Sequence, residues 1–189
     1  MKSATTEQTI RQFVSEVTDQ HYIMTGAVMA GSAAQAAALG ETCMQISLDN
    51  QVDKLNWQDV TSRIEEMARL KDNLLEWCDQ NAQTIIERTA LREAGGDSGS
   101  QRFWCESAAE ISRLSIEAAT LLQDFRPLAF ENVRDDLEIT INLLTCTGRA
   151  AVLLLDSNLR IWPVSALLDE YEPIRAELQS QIDQISLTR

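Results

Sequence analysis

Apolar residues recur every three or four positions along most of the chain, which is the spacing of one face of an α-helix. The first such stretch begins near Thr5 or Thr6 and ends near Asp19. After a turn through Gly26, an alanine-rich stretch from Ala30 to about Leu48 predicts a second helix. Its small side chains allow a neighbouring backbone to approach closely, so we expect this helix to be buried.

The longest predicted helix extends from Trp57 to about Arg92, with Asn56 as its N-cap. Apolar residues mark a buried stripe along it: Val60, Ile64, Met67, Leu70, Leu74, Cys78 and Ile85. The segment Glu93–Ser100 contains three of the seven glycines and predicts a loop. This loop connects elements of one domain, because neither side could form a core alone.

Three further helices are predicted in the C-terminal half, over Arg102–Asp124, Val133–Asp156 and Ser165–Ser186. Pro173 should kink or restart the last one, because proline removes a helical hydrogen bond.

The helix over Val133–Asp156 is the most apolar of these, and it is long enough to suggest a membrane span. Glu138, Asn142 and Arg149 interrupt the apolar run, which is costly inside a lipid bilayer. A central helix of a bundle, with neighbours all round, explains the pattern better. We therefore expect no membrane partner.

Composition agrees with an all-α fold. Glycine (7) and proline (3) are scarce, whereas an all-β protein needs many tight turns. A chain of 189 residues can form one domain with a proper core, and it is too short for two ordinary domains. We predict a single helical domain over residues 1–189, a bundle of five to six helices around a central apolar helix.

Charge and cysteine content restrict the function. The formal net charge of −13 opposes binding to nucleic acid, because such binding needs Lys and Arg against phosphates. The first residues contain no apolar segment, so we expect no signal peptide and a cytoplasmic location. With one histidine and no CxxC motif we expect no metal site, and we expect the four cysteines to be reduced and buried.

Signatures of common chemistries are missing from the sequence: it has no GxxxxGK[ST], no GxGxxG and no Cys/His pair. Glu65-Glu66 and Asp135-Asp136 are adjacent acids, which on a helix are typical of a solvated face. Helical periodicity alone therefore leaves an acidic bundle without a function.

Several short segments, taken in order, resemble a known family. Thr25–Ser32 precedes the small-residue run Ala36–Gly40, and Asp79–Ile85 lies on the long helix. Glu110–Ser115 and then Asp135-Asp136-Leu137 follow, ahead of Gly148-Arg149-Ala150-Ala151. Together they resemble the cyclodeaminase/cyclohydrolase family, which includes the C-terminal domain of formiminotransferase-cyclodeaminase and methenyltetrahydrofolate cyclohydrolases. The similarity extends from about residue 8 to residue 186.

The resemblance implies a homodimeric bundle that acts on a tetrahydrofolate derivative, with no tightly bound cofactor. In the hydrolysis, water adds to a cationic amidinium carbon, and a carboxylate can hold that cation and accept a proton. On this basis Asp136 is the first candidate for the acid/base and Asp79 the second. Asp136 also has a purely structural explanation, as an acid in the first turn of a helix.

The resemblance also points to folate-binding residues, and it includes departures from the family's pattern. The candidates are Gly31, Ser32, Asn81, Arg113, Arg149 and Lys54. Where the family has a glycine-rich loop, only Gly31 remains beside Ser32, and Val28 and Met29 obstruct close approach of a ligand to the backbone. Asn81 replaces an acid of the family, and Lys54 alone remains of a lysine-rich turn. The active-site loop is therefore expected to be eroded.

Two interpretations stay open. The chain is either a folate enzyme with a remodelled pocket, or a catalytically inactive dimeric binding or scaffold protein. Arg113 and Arg149 separate them, since they either converge with Asp136 in a pocket or form plain ion pairs with Glu110 and Glu138. In both cases we expect a homodimer through the alanine-rich helix or the long third helix.

Overall fold

The computed structural model describes residues 4–19, 23–50, 57–93 and 99–186. These residues form six α-helices and three short 3-10 turns, and no strand occurs among them. The helices are α1 (Ile10–Asp19), α2 (Thr25–Asp49), α3 (Trp57–Glu93), α4 (Gln101–Phe125), α5 (Arg134–Ile161) and α6 (Ser165–Gln184). The predicted all-α bundle is confirmed.

Helix α2 lies between α3 and α5, while α4 contacts all three of these helices and α6 packs on α4 and α5. Helices α2 and α3 run in opposite directions: Gly31 contacts Cys78, and ten residues further along α2 Glu41 pairs with Lys71 at 2.6 Å.

Small residues allow α2 to pack this closely. Ala30, Ala33 and Ala37 are fully buried. A Cβ added to Gly40 would lie 2.9 Å from a methyl group of Leu122, so the α4 side chain occupies the space that a larger residue would need. The expectation of a buried alanine-rich helix is therefore confirmed.

Helix α5 packs against α2, α4 and α6, but it does not have neighbours all round. Ile139, Leu143 and Leu153 are exposed, and less than half of the helix's most apolar window is buried. By length and composition the stretch Glu131–Ile161 could also cross a membrane, as many core helices of soluble bundles could.

Helix boundaries differ from the predictions at three places. Gly26 does not form a turn, because α2 already begins at Thr25, and α5 continues to Ile161. Helix α6 continues through Pro173 without restarting. The predicted cap Asn56 lies outside the described residues.

Three cysteines (Cys43, Cys78 and Cys105) are buried as expected, but Cys146 is exposed on α5. Helical spacing alone could not show this, because Cys146 shares its side of α5 with apolar residues that are exposed as well, Ile139, Leu143 and Leu153.

Candidate functional site

Gly31 lies where α2 crosses α3, in a closely packed region. A Cβ on Gly31 would lie 3.4 Å from the Cys78 sulfur and 3.8 Å from the Phe13 ring. Burial, followed by the nearby charge of Asp79, raises the pKa of the Cys78 thiol to about 12. This thiol therefore stays protonated at neutral pH, and Gly31 faces protein rather than a ligand cavity.

Asp79 holds the N-terminal segment against α3. Its two carboxylate oxygens accept hydrogen bonds from the Thr6 backbone N–H at 2.9 Å and from the Thr6 hydroxyl at 2.7 Å. Both oxygens of this candidate acid/base are thus engaged within the chain.

Asn81 is buried, and both its amide nitrogen and its amide oxygen are hydrogen-bonded. Its Nδ2 donates to the Trp77 carbonyl at 2.8 Å, and its Oδ1 accepts from the Ser107 hydroxyl at 3.2 Å. A Cβ on Gly26 would lie only 2.1 Å from this Oδ1, so only glycine fits there. Asn81 therefore joins α2, α3 and α4.

The segment Thr25–Ser32, which resembles the family's glycine-rich motif, forms the first two turns of α2. The exposed Ser32 hydroxyl donates to the Val28 carbonyl at 2.8 Å. Since a helix uses its backbone N–H groups internally beyond the first turn, Gly31 and Ser32 have no free backbone donors for a ligand.

Asp136 is exposed in the first turn of α5 and lies near the C-terminal half of α2, where its charge, after burial, raises the pKa of the Cys43 thiol. Gly31 is about 18 Å from Cys43 along α2, at 1.5 Å per residue. The structure therefore does not bring Asp136 together with Gly31, Asp79 and Asn81. Its position suits the structural explanation, an acid that interacts favourably with the helix dipole.

The arginines do not converge with Asp136. Arg113 pairs with Glu110 one turn earlier on α4. Arg149 is exposed and forms no ion pair within the described parts of the chain; Glu138 pairs instead with Arg126, at 2.6 and 2.8 Å. Lys54 lies outside the described residues.

A groove of about 740 Å³ lies between α3 and α6, with α4 as its floor. Of the candidate residues, only Arg113 lines it. The other charged residues along its wall are acidic: Glu66, Glu117, Asp124 and Glu177. The groove therefore suits a cation or a neutral polar group better than an anionic tail.

Glu117 is the unusual acid of this groove. Partial burial raises its pKa, against the lowering effects of Arg69 and Arg113, whereas a hydrogen bond from Arg69 lowers the pKa of Glu66. The two acids differ because Arg69 hydrogen-bonds Glu66 but lies 3.9 Å from the Glu117 carboxylate. The sequence-based argument missed Glu117, although Glu110, Arg113 and Glu117 form a charged stripe at helical spacing on a mostly apolar helix.

No cluster of three or more His, Cys, Asp or Glu side chains suited to a metal ion occurs in the described part of the chain.

Comparison with known proteins identifies the family. The family model described as formiminotransferase-cyclodeaminase matches residues 9–173. The fold is similar to that of formiminotetrahydrofolate cyclodeaminase from Thermotoga maritima, with a TM-score of 0.81 and 15% sequence identity, over 94% of this chain and 91% of that one. No curated protein matches the sequence. The chain therefore belongs to the formiminotransferase-cyclodeaminase family.

Proposed function

We propose that this protein is a cytoplasmic, dimeric member of its family whose turnover by the cyclodeaminase or cyclohydrolase route is weak or absent, and that it serves as a binding or scaffold protein. The proposal rests on one observation: the candidate residues Asp79 and Asn81 already form hydrogen bonds with other residues of the chain. Asp79 binds Thr6, Asn81 binds Trp77 and Ser107, and the segment that would approach a folate is helical.

Loss of a single positioned donor typically lowers an enzyme's rate on the order of a hundredfold. Here the segment that resembles the family's glycine-rich motif is helical and carries Val28 and Met29, Asn81 stands where an acid is expected, and Asp136 lies near Cys43, away from the other candidates. Such losses need not add, but together they argue against efficient catalysis by the family's route.

A second candidate function is a folate enzyme with a remodelled pocket, and the groove of Glu117 favours it. A carboxyl group with a raised pKa keeps its proton to a higher pH than an ordinary glutamate does, and the acidic wall suits a cationic amidinium. A tetrahydrofolate derivative would then be its substrate.

Titration of the purified protein with methenyl- and formimidoyl-tetrahydrofolate, following binding and turnover separately, tests both candidates. We expect weak binding or none, and turnover close to the uncatalysed rate. Asp136→Asn and Glu117→Gln serve as paired variants.

Robust turnover of the wild type would refute the proposal. Loss of that turnover in Asp136→Asn alone would show that it depends on the acid suggested by the family resemblance. Loss in Glu117→Gln alone would show that it depends on the groove. Asp72→Asn, an exposed acid elsewhere on α3, is the matched control for loss of one negative charge.

A further inference from the structure

Helix α5 exposes an apolar stripe that no part of the described chain covers. Ile139, Leu143, Cys146, Ala150 and Leu153 follow one another at intervals of three and four residues, and all are exposed. This spacing is the seam along which one helix packs on another. The stripe is about 21 Å long at 1.5 Å per residue.

Charge is nearly absent from this part of the surface. Between Glu138 and Asp156, Arg149 is the only charged residue of α5. The neighbouring helix α2 has one charged residue between Thr25 and Leu48, Glu41, and that residue pairs with Lys71 of α3. Depletion of charge is the compositional mark of the centre of a protein interface.

The remaining helices contrast with α2 and α5. The outward side of α3 carries exposed acids, among them Asp59, Glu65, Asp72 and Glu76, and α6 carries Asp169, Glu170 and Glu172. Two copies of a chain with a net charge of −13 repel each other through such surfaces. They can approach closely only where the surface is uncharged.

We propose that the outward faces of α5 and α2 form the interface with a second copy of this chain, related by a two-fold axis near Cys146. This inference rests on the dimeric state within the proposed function and adds its surface. A strip of one helix covers roughly 300 Å², below the roughly 800 Å² per partner of a standard interface, so the exposed face of α2 with Val28 and Leu39 takes part as well.

The stripe is suited to two-fold symmetry. Cys146 lies midway between Ile139 and Leu153, so an axis at this point lets two identical stripes cover each other along their whole length. Such an axis makes the two α5 helices antiparallel and brings Asp136 of one copy level with Asp156 of the other, whose charge is already paired with Arg160 of its own chain. Opposed helix dipoles favour the same arrangement.

The first test is the molar mass of the full-length protein by sedimentation velocity at micromolar concentration, with variants of matched exposure. We expect a mass of twice 21.1 kDa for the wild type. Leu143→Glu and Leu39→Glu should weaken the dimer at least a hundredfold. Leu91→Glu should leave the dimer unchanged, because Leu91 lies on α3, outside the proposed interface. It is a matched control because Leu91 is 45% exposed and Leu143 is 49% exposed. Circular dichroism shows whether each variant is folded.

Cross-linking tests the axis. With a short bis-maleimide, the wild type should give a covalent dimer and Cys146→Ser should not, because the other three cysteines are buried. A dimer that dissociates on Leu143→Glu but does not cross-link through Cys146 would overturn the position of the axis.

A monomeric wild type, or a dimer that persists in both Leu143→Glu and Leu39→Glu, would overturn the proposed interface. Sedimentation of a monomeric wild type with phospholipid vesicles would assign the α5 face to a membrane instead. Molar mass and cross-linking do not depend on folate turnover. A wrong interface and an unexpectedly active enzyme would therefore be recognised by different experiments.

Discussion

Asn81 is the residue on which contacts between three helices depend. Its amide satisfies the Trp77 carbonyl and the Ser107 hydroxyl, and it lies against Gly26 so closely that no side chain fits there. A buried amide with all its partners in place stabilises a fold, whereas the same amide displaced leaves unsatisfied polar groups. These contacts give Asn81 a packing role between the three helices.

Gly26→Ala should therefore lower the free energy of unfolding by about 2 kcal/mol or more, because the methyl group displaces the Asn81 amide. Gly31→Ala is the matched control: its methyl group meets Cys78 at an ordinary 3.4 Å, and alanine favours the helix by up to about 1 kcal/mol. Urea denaturation measures both. Equal stability of the two variants would contradict the close packing of Gly26 on Asn81.

The pKa of Glu117 predicts a pH dependence of stability. Its pKa is raised in the folded state by burial, so the folded protein binds the proton more tightly than the unfolded chain does. Ionisation of Glu117 therefore costs stability as pH rises from the unfolded pKa, near 4.3, through the raised folded pKa.

We expect Glu117→Gln to be slightly more stable than the wild type at pH 7, by on the order of half a kcal/mol or less because the side chain is partly exposed. The gain should vanish below about pH 4, where both forms are neutral. Thermal unfolding at a series of pH values measures it. A variant less stable than the wild type at pH 7 would show that the contact of Glu117 with Arg69 outweighs its burial.

At the scale of elements, the N-terminal segment is held by two hydrogen bonds to Asp79 of α3 and by two partly buried apolar side chains, Phe13 and Val17. Helix α1 has no buried residue, and Thr6 binds Asp79 in front of it. An element with little buried apolar area opens at low free energy, independently of the core.

Asp79→Ala should accordingly raise amide hydrogen exchange at Thr6 and in α1 by about tenfold, with little change in the melting temperature of the bundle. Asp72→Ala, another acid of α3, should leave this exchange unchanged. Unaltered exchange in Asp79→Ala would show that the carboxylate is free for another role, such as the acid/base role suggested by the family resemblance.

At the scale of the whole molecule, a net charge of −13 means that self-association works against repulsion. Added salt screens this repulsion, because the Debye length falls from about 30 Å at 0.01 M to about 3 Å at 1 M. The proposed dimer contacts are apolar and lose little from screening.

The dissociation constant of the dimer should therefore fall several-fold as NaCl rises across this range. Sedimentation equilibrium at fixed protein concentration measures the trend. A dimer that weakens with salt would instead rest on ion pairs, and the uncharged α2 and α5 faces would not be its interface.

Local pattern determined much of the architecture. The spacing of apolar residues predicted the helices now seen as α3, α4 and α6 to within a few residues, and the alanines of α2 predicted its burial. These properties follow from side chains three and four positions apart, which a helix places on one face whatever else the chain does. The order of short motifs also predicted the family.

Tertiary structure decided which polar groups meet. Thr6 and Asp79 are 73 positions apart, and Ser107 and Asn81 are 26 apart, so no local spacing predicts either hydrogen bond. The early start of α2 at Thr25 and the exposure of Cys146 have the same origin, since both depend on where neighbouring helices lie. Which helices form follows from the local sequence, because helical hydrogen bonds join residues four positions apart. Their packing determined which candidate residues remain free for chemistry, because that depends on contacts between helices distant in the chain.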